Sequence, residues 1–462
     1  MVDQTELLTP LDLLMPSIYI KVLFTFAIRD SQQAIAGLQR GLDKLAKAIP
    51  WIAGTVCQSQ HNGKPALEIR YAGSPIPPEL VDKGCIAASY NDLAARGMPM
   101  DVVPAEVWPV GGVDDADFAA AGAPVLAASV FRFGPQEQAG AGGGLGLCVC
   151  MHHNVVDAAS FTAIVHLWAQ STAGMGPDIK CEPKYQRLLQ CLATDIAEIQ
   201  AEGLECLDLL ARHPEYSANP PTLPEESVPC TSKVFTIRAH WLNVLREVLQ
   251  KHTSTPPTTN ALISALLWTC ITRARARRNA DLQSSRLVTA VNAARRIGLH
   301  TDDNPYLGNT ILYALASLPA STLSGADMAP AAALAGICNS IAKSQSAMRI
   351  SAQQAAEVHA LVERVPDYRG IYPGWDLFNS RDLTVSSWAG LDLYAVDFGT
   401  AMGKPGFVRV PCVNADGVVI VLPRRRRRGV EDEVLEAMVM LRMDDMCALE
   451  RDGMWEMLIS TP

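Results

Sequence analysis

The sequence predicts an α/β protein built in two parts. Segments rich in β-branched and aromatic residues alternate with segments whose apolar residues recur every three or four positions, in both halves of the chain. Residues 214–231, PEYSANPPTLPEESVPCT, are rich in proline and serine and have little apolar periodicity, which indicates a linker. The chain of 462 residues also exceeds the usual size of one domain. We therefore predict an N-terminal domain at 1–213 and a C-terminal domain at 232–462.

The N-terminal half begins with clear strand and helix signals. Residues 18–27, IYIKVLFTFA, predict a strand, and Asp30 with Ser31 can cap the helix that follows. Asn62-Gly63 lies between two strand-like runs and indicates a β-hairpin. PVLAASVFRF and GLGLCVCMHH predict two more strands. Apolar residues after Asp157 recur at helical spacing, and a further helix is expected at 187–212.

The C-terminal half repeats this alternation. KVFTIRA predicts a strand, HWLNVLREVLQ a helix, and ALISALLWTCITRARA a long buried helix capped by Asn260 or a threonine. RLVTAVNAA predicts another strand, and HTDDNPYLGN is rich in turn-forming residues. Residues 329–364 are rich in alanine and predict helix. LTVSSW, GVVIVLP and EAMVMLR predict the late strands.

The composition narrows the function classes. Apolar residues make up 49% of the chain and charged residues 19%, which supports a large core. A net charge of −9 disfavours a nucleic-acid binder, which normally presents a basic face. The run Arg424–Arg428 is the exception, and either an exposed loop or a site for a polyanion fits it.

The chain shows no secretory signal and no membrane span. Its N-terminus has acidic residues and prolines where a signal peptide would be basic and then apolar, and no window reaches the ~18 apolar residues of a span. We therefore expect a cytoplasmic protein whose twelve cysteines are mostly reduced.

The stretch MHHNVVDAAS, residues 151–160, carries the strongest chemical signal. Histidine suits proton transfer near neutral pH, and His153 and Asp157 lie four residues apart at a predicted strand-to-helix junction. Neighbouring residues of a strand point to opposite faces, so only one of His152 and His153 can face a given cleft. The alternative is that both histidines only end a strand with ordinary hydrogen bonds.

Two other chemistries are disfavoured at this stretch. Cys148, Cys150 and His152 share one strand face and resemble soft zinc ligands, but alternate positions of one strand are an uncommon ligand spacing and no second ligand group is evident. No G-x-S-x-G sequence or cysteine-protease signature supports a nucleophilic serine or cysteine. We predict no metal site.

A second motif, VDFGTAMGKP at 396–405, extends the pattern over the chain. Together HHNVVDA and DFG with GKP resemble the BAHD acyltransferases, in particular the fungal branch similar to trichothecene 3-O-acetyltransferase. Further pieces follow in the order that this resemblance implies: LTPLD near the start, PWIAGTV at 50–56, PTTNALISALLW, VNAARR followed by NPYLGN, and SSW shortly before DFG. The resemblance therefore covers nearly the whole chain.

The resemblance implies a fold and a reaction. The fold is two chloramphenicol-acetyltransferase-like domains, each a mixed sheet with flanking helices, and the active-site channel lies at their interface. The reaction transfers an acyl group, most simply acetyl, from acyl-CoA to a hydroxyl of a specialised metabolite. His153 would be the general base in a direct attack without an acyl-enzyme. One chain would suffice, so we expect a monomer with no permanently bound cofactor.

The resemblance also assigns roles to other residues. Asp157 would turn away from the channel and pair with Arg295 or Arg296. Ser386 and Trp388 would donate hydrogen bonds to the tetrahedral oxyanion; the alternative for Trp388 is core packing. Asp397 would fix a loop near the CoA entrance, although a proton-transfer role or a plain turn also fits it.

The predicted CoA contacts lie at a helix start. Thr258, Thr259 and Asn260 would place backbone N–H groups near CoA phosphate or pantetheine atoms, and a simple helix cap is the alternative.

The chain departs from the family pattern at two points, and other functions compete. Ala158 stands where a glycine often follows the motif aspartate, and DFGTAMGKP lacks the tryptophan of D-F-G-W-G. One competing function is a condensation-type enzyme that uses a carrier-bound thioester. Another is a catalytically inactive relative that binds a metabolite or a protein. The DFG–GKP element argues against the first, and intact His153 and Asp157 argue against the second.

Overall fold

The molecule is a mixed α/β structure in which several sheets are flanked by helices. The computed structural model describes residues 3–28, 30–111, 122–134, 143–177, 179, 182–225, 228–301, 304–324, 330–376, 378–425 and 434–459. Residues Arg426–Arg428 of the arginine run lie outside these described residues, as do residues 1–2 of the predicted N-terminal domain and residues 460–462 of the predicted C-terminal domain. None of the described helices combines the length and apolarity that crossing a bilayer requires.

The first half of the chain contains strands and helices in alternation. Its strands are β1 (Asp3–Leu7), β2 (Tyr19–Ala27), β3 (Thr55–His61), β4 (Lys64–Ala72), β5 (Leu80–Ile86), β6 (Ala123–Pro124), β7 (Leu126–Phe133) and β8 (Gly144–His152). Its helices are α1 (Pro10–Leu13), α2 (Ser31–Ala48), α3 (Tyr90–Ala95), α4 (Ala158–Thr172), α5 (Lys184–Glu202) and α6 (Cys206–Arg212).

The second half continues in the same manner. Its strands are β9 (Tyr216–Ser217), β10 (Cys230–Arg238), β11 (Ser284–Asn292), β12 (Ile311–Pro319), β13 (Tyr372–Pro373), β14 (Leu383–Ser387), β15 (Phe407–Arg409), β16 (Val418–Val421) and β17 (Val434–Arg442). Its helices are α7 (Ala239–Leu249), α8 (Thr259–Ala276), α9 (Ala320–Ser324), α10 (Pro330–Ser344), α11 (Ala352–Arg364), α12 (Met443–Glu450) and α13 (Gly453–Leu458).

The sheets follow the two halves of the chain, with one exchange. Within the described residues, the first half forms a sheet of order β15-β2-β8-β7-β5 and a smaller one of order β1-β4-β3-β6. The second half forms a sheet of order β10-β17-β16-β14-β11-β12. The exchange is β15, which comes from the second half and pairs antiparallel with β2. The domain bounds predicted from the linker stay a prediction. Strand β15 lies in the predicted C-terminal domain by sequence, but it belongs to a sheet of the N-terminal half.

Most predicted elements are confirmed. The Asn62-Gly63 turn joins β3 and β4, and both residues have positive φ angles of 52° and 76°, as a tight hairpin turn requires. Asp30 caps α2 by accepting a hydrogen bond from the Gln33 N–H at 3.0 Å.

Two predicted helices are wrong in extent, and several strands are missing from the predicted elements. The helix expected at 187–212 is two helices, because α5 ends at Gly203, which has a φ of 64° that glycine adopts without steric cost. The segment 329–364 likewise contains two helices, α10 and α11. The longest of the missing strands is β12, an apolar run whose pattern fits a strand or a buried helix equally. The others are β1, β5, β6, β9, β13 and β15.

Three parallel strands define the edge at which the predicted site residues gather. β11, β14 and β16 run parallel, with Ala290 opposite Ser386 and Ser386 opposite Ile420. Their carboxyl ends therefore meet at one edge of the large sheet. Asn292 ends β11 at this edge. Trp388 directly follows β14 there, and its backbone N–H donates to the Val421 carbonyl at 2.8 Å.

Candidate active site

The two motif histidines are separated by the end of β8. His152 is the last residue of the strand, and His153 begins the turn that leads into α4. The backbone N–H of His153 donates to the Ile18 carbonyl at 2.8 Å, which fixes the start of the turn against the segment before β2. His153 is partly exposed, but its Nδ1 atom is buried and makes no hydrogen bond to another described residue. Its Nε2 atom is therefore the nitrogen left for a substrate.

The surroundings keep His153 in its neutral, basic form. Burial lowers the pKa of His153 below its usual value, while its own backbone carbonyl and the Asp157 carboxylate act in the opposite direction. A neutral imidazole at neutral pH can accept a proton from a hydroxyl. The site thus meets the first requirement of a general base.

His152 has different surroundings. It is fully buried, it shares its strand face with Cys148 and Cys150, and its ring lies 5.2 Å from the ring of Tyr19. Burial lowers the pKa of His152 to about 3, and the neighbouring His153 adds to the effect. Burial also raises the pKa of the Cys150 thiol to about 12, so this thiol stays protonated near neutral pH. No group of potential metal ligands is found among the described residues.

Asp157 joins the turn to both halves of the molecule. It is fully buried and caps α4 by accepting from the Ser160 N–H at 2.8 Å. Its other oxygen accepts from Asn292 Nδ2 at 2.7 Å and from the N–H and hydroxyl of Thr310 at 3.2 and 3.3 Å. These bonds account for the position of the carboxylate, which turns toward β11 and β12 rather than toward His153 Nε2.

The predicted partner of Asp157 is therefore corrected. Asn292, in the same VNAARR segment, occupies the place expected for Arg295 or Arg296. Asn292 is the last residue of β11 and points across to the turn. Arg296 lies on the exposed turn that follows and donates to the Gln345 carbonyl at 2.9 Å, and no ion pair between Asp157 and an arginine occurs among the described residues.

A buried polar cluster lies beneath the turn and was missed from the sequence. Asp12 and Asn309 are both fully buried, and Asn309 Nδ2 lies 2.8 Å from Asp12 Oδ1 and 2.8 Å from the His153 carbonyl oxygen. Asn154 donates from Nδ2 to the carbonyls of Asp12 and Met15, both at 2.8 Å. The pieces LTPLD and NPYLGN contain Asp12 and Asn309, so the family pattern marked both segments without giving them a role.

Lys184 completes this cluster. It is 3% exposed, its ammonium donates to the Val155 carbonyl at 3.1 Å, and it lies 4.0 Å from the ring centroid of Trp51. Burial raises the pKa of Asp12, and Lys184 together with the hydrogen bonds from Asn309 and Thr9 opposes that shift. Asn309 and Lys184 thus donate hydrogen bonds to backbone carbonyls of the His153 turn, and the Asn154 side chain anchors the turn to the segment around Asp12 and Met15.

Ser386 and Trp388 lie beside each other at the carboxyl edge of β14. The indole N–H of Trp388 donates to Ser386 Oγ at 3.1 Å. A hydroxyl that accepts one hydrogen bond keeps its own proton available for another acceptor. The Ser386 hydroxyl can therefore donate to a further acceptor, while Trp388, 8% exposed, packs in the core and orients it. The predicted oxyanion role of both residues stays a prediction.

The start of α8 lies toward the same edge of the large sheet. At the other end of this helix, Arg275 donates to the Asp382 carbonyl at 2.9 Å and pairs with Asp416 at 3.0 Å, and these two residues precede β14 and β16. Because α8 is 18 residues long, its first turn lies roughly 27 Å away, toward the carboxyl ends of the strands.

The predicted CoA-contact residues occupy this first turn. Thr258 caps the helix by accepting from the Ala261 N–H at 3.1 Å, and Thr259 Oγ1 accepts from Arg246 at 2.6 Å. Asn260 Oδ1 is buried and has no partner among the described residues.

Asp397 lies far from the reacting atoms. It is exposed and accepts from the Gly399 N–H at 3.0 Å within its own loop. A Cβ on Gly399 would lie 3.0 Å from the Cα of Ala173, and the Phe398 ring lies 6.2 Å from Trp168, so the loop packs near the carboxyl end of α4.

His153 lies at the opposite end of α4. This helix has 15 residues and is roughly 22 Å long. The placement of Asp397 among the catalytic residues is therefore corrected, because its carboxylate cannot reach the proton that His153 removes. What it does instead is hold the DFG turn, whose glycine fits closely against the helix.

Hydrogen bonds connect the turn of His153 to the sheet that carries Ser386. A neutral imidazole stands on a rigid turn, and Asp157 links this turn through Asn292 to β11, the neighbour of the strand that carries Ser386. Such a pair of groups serves the attack of a hydroxyl on a carbonyl carbon.

Comparison with known proteins assigns the chain to a family. The model of the transferase family matches residues 2–455, so the chain belongs to that family, and the prediction of a fungal BAHD acyltransferase is confirmed. The chain is an acyltransferase.

Several fungal relatives match over nearly their whole length. Trichothecene 8-O-acetyltransferase of Fusarium sporotrichioides is 25% identical, over 97% of this chain and 96% of its own. An O-acetyltransferase of Penicillium ochrochloron, ptmV, is 26% identical, over 97% and 95% of the two chains.

A solved structure has the same fold. The crystal structure of F. sporotrichioides TRI101 complexed with coenzyme A and T-2 superimposes with a TM-score of 0.76, at 21% identity and with 99% of each chain covered. The predicted fold class is thereby confirmed.

Proposed function

We propose that this protein transfers an acyl group, with acetyl as the simplest, from acyl-CoA to a hydroxyl of a fungal specialised metabolite. The observation that carries the proposal is the placement of His153 on a turn held by Asp157 and Asn309, with Nδ1 buried and Nε2 left for a substrate. The family and the relatives support it, because several of these relatives are named O-acetyltransferases. The TRI101 structures, which contain coenzyme A with T-2 or deoxynivalenol, support both substrate classes.

The proposed reaction is a direct attack. His153 Nε2 takes the proton of the acceptor hydroxyl while its oxygen attacks the thioester carbonyl carbon. The tetrahedral oxyanion receives a hydrogen bond from Ser386, and collapse expels the CoA thiolate, which takes up the proton from His153. A positioned base of this kind contributes typically ~10² to 10⁴ in rate, and one oxyanion donor about 2.7–4 kcal/mol. Acyl-CoA is a co-substrate, and no permanently bound cofactor takes part in these steps.

The remaining predicted residues fit this reaction in supporting roles. Asp157 holds the turn through Asn292 and Thr310. Thr258, Thr259 and Asn260 are proposed to contact CoA, since they begin a helix that points toward the site edge, and the buried Asn260 Oδ1 can accept from a pantetheine amide. We also propose a cytoplasmic monomer. Its support is that one chain supplies all the proposed site residues and that the described cysteines are free thiols, which are typical of a reducing compartment.

A substrate screen with a base-deficient control tests the proposal. The purified protein is incubated with acetyl-CoA and a panel of hydroxylated sesquiterpenoids that includes deoxynivalenol, and CoA release and product mass are measured. Amine acceptors belong in the panel, because the relative communesin N16 acyltransferase is named for a nitrogen position. We expect acceptor-dependent CoA release with an added acetyl group, and its loss in His153→Ala.

Other outcomes separate the competing functions. Turnover only with a carrier-protein thioester would indicate a condensation-type enzyme. Binding of metabolites without turnover, unchanged in His153→Ala, would indicate an inactive relative.

A further inference from the structure

The amide of Asn309 has one possible orientation. Its Nδ2 atom lies 2.8 Å from Asp12 Oδ1 and 2.8 Å from the His153 carbonyl oxygen, and both neighbours are acceptors. The NH₂ group must face them, because a carbonyl oxygen at that position would meet two other acceptors. Asp12 also accepts the Asn309 backbone N–H at 3.0 Å, so the carboxylate holds this residue at two points.

This orientation leaves two buried atoms without partners. Asn309 Oδ1 and His153 Nδ1 are both buried, and neither has a hydrogen-bond partner among the described residues. One is an acceptor, and the other is a donor whenever Nδ1 carries the imidazole proton. A buried polar group without a partner costs about 1–3 kcal/mol, and a pairing of these two atoms removes both penalties.

Several groups around the His153 ring also favour a proton on it. The His153 backbone carbonyl, the Asp157 carboxylate, the Asn309 side chain and the Val156 carbonyl all act to raise the pKa of the imidazole, against the larger effect of burial. Each of them acts by accepting a hydrogen bond or by carrying negative charge. A proton on Nδ1 leaves the lone pair on Nε2, which is the form that a base must have.

Asp12 is suited to hold the amide in place. Its Oδ2 atom accepts from the Thr9 N–H and hydroxyl, both at 2.8 Å, while Oδ1 accepts both bonds from Asn309. These four accepted hydrogen bonds suit an ionised carboxylate, and together with Lys184 they oppose the burial that raises the pKa of Asp12. Asn309 therefore cannot rotate without breaking a charge-assisted bond, which is stronger than a neutral one.

We propose that Asn309, held by Asp12, is the positioning residue that fixes the tautomer of His153: its NH₂ group binds the His153 carbonyl, and its Oδ1 accepts the proton on Nδ1. The inference rests on the proposed function, since it concerns the base of that reaction. It assigns a role to two residues that lie 156 and 141 positions from His153 and outside both catalytic motifs.

The test compares two buried asparagines of the same cluster. Asn309→Leu removes the amide but keeps its volume, and Asn154→Leu removes an amide that holds the same turn without contacting His153 through its side chain. Release of CoA thiol from acetyl-CoA, with water as the acceptor, is measured from pH 5 to 8 and normalised to folded protein. If Asn309→Leu does not fold, Asn309→Ser takes its place, since its smaller side chain leaves room for water.

The expected result is a change in kcat and not in KM. In Asn309→Leu, kcat falls at least tenfold, the KM for acetyl-CoA stays within twofold, and the acidic limb of the kcat profile moves to lower pH because a group that raises the His153 pKa is gone. Asn154→Leu lowers the unfolding midpoint by a similar amount with a smaller loss of kcat.

Other results overturn the inference. They are a kcat within twofold of wild type, an equal loss in Asn154→Leu, or an acidic limb that moves up toward an ordinary histidine, which would show a merely loosened turn. Failure of the wild-type protein to release CoA from acetyl-CoA, with or without an acceptor, would instead count against the proposed function.

Discussion

Two histidines of this protein, the partly exposed His153 and the buried His213, differ in the hydrogen bonds of their ring nitrogens. His153 stands on the turn before α4, with Nδ1 buried and Nε2 left for a substrate. His213 lies where α6 ends, 4% exposed, with Nδ1 2.9 Å from Glu215 and Nε2 2.9 Å from Glu357. Glu357 is also bound by Arg212 at 2.8 Å, which ties α6 to α11. Both nitrogens of His213 are occupied, so this ring has a structural role.

The pKa values of the two histidines shift in opposite directions because their partners differ. Burial opposes a charge on both rings, and at His153 it prevails, so the pKa of His153 is lowered. At His213 the hydrogen bonds and charges of Glu215 and Glu357 outweigh burial, and the pKa of His213 is raised. The partners of a ring, rather than its burial, decide whether folding lowers or raises its pKa.

The presence of a sizeable cavity does not identify the catalytic histidine. A cavity of about 640 Å³ opens beside His213, between β12, α10 and the start of α11. That volume is in the range of small-molecule sites. The histidine on its wall has no nitrogen to offer, however, and the chemistry assigns the reaction to His153.

The largest expected difference between the two histidines is the loss of activity when His153 is removed. His153→Ala should lower kcat by ~10² to 10⁴, the usual contribution of a positioned base. The free energy of unfolding should change by no more than about 1 kcal/mol, since the turn is held by backbone contacts and by Asp157. Steady-state kinetics and urea unfolding of the same samples check both parts. A variant that unfolds easily but keeps its kcat would reverse the roles given to the two histidines.

His213→Ala should show the opposite pattern. It leaves two buried carboxylates with fewer partners, and removal of one member of a buried ionic cluster costs about 3–5 kcal/mol. The kcat of the protein that remains folded should be close to wild type. Urea unfolding measures the loss, and activity per folded molecule provides the control. Unchanged stability would contradict the ionic role of this histidine.

Ser386→Ala probes the oxyanion side of the His153 region. The variant removes the proposed donor and leaves the Trp388 indole without its acceptor. Loss of one oxyanion donor raises the barrier by about 2.7–4 kcal/mol, so kcat should fall by ~10² to 10³ at nearly constant KM. Ser387→Ala, on the neighbouring position of β14, is the matched control. Equal losses in both variants would count against an oxyanion role for Ser386.

The sequence predicted those parts of the fold and site that depend on neighbours in the chain. The Asn62-Gly63 hairpin, the cap of α2 by Asp30 and the junction at His153 and Asp157 are local, so their residue types suffice. The break at Gly203 was also local, and the glycine in AEGLE was its signal.

The partners of the catalytic turn could not be predicted in this way. Asn309 contacts Asp12 across 297 positions, and Asn292 reaches Asp157 across 135. The two arginines of VNAARR suggested an ion pair with Asp157. The side chain that reaches the Asp157 carboxylate is instead that of Asn292, because β11 ends with this residue beside the turn. The family pattern marked these segments, and only the fold gives their side chains a role.

The smallest effect is the pH dependence of stability, and it has opposite signs at the two histidines. Because the pKa of His213 is raised by folding, its stabilisation is complete below the unfolded value of about 6.5 and is lost as the pH rises through the folded value. His152 and His153 have lowered pKa values, so their contribution is present above about 6.5 and is lost as the pH falls. His213→Gln, which cannot be charged, should therefore reduce the decline of stability on the alkaline side of pH 6.5 and leave the acidic decline in place. Urea midpoints of wild type and variant from pH 5 to 9 measure this difference, and an alkaline decline of equal size in both proteins would show that His213 is neutral in the folded state.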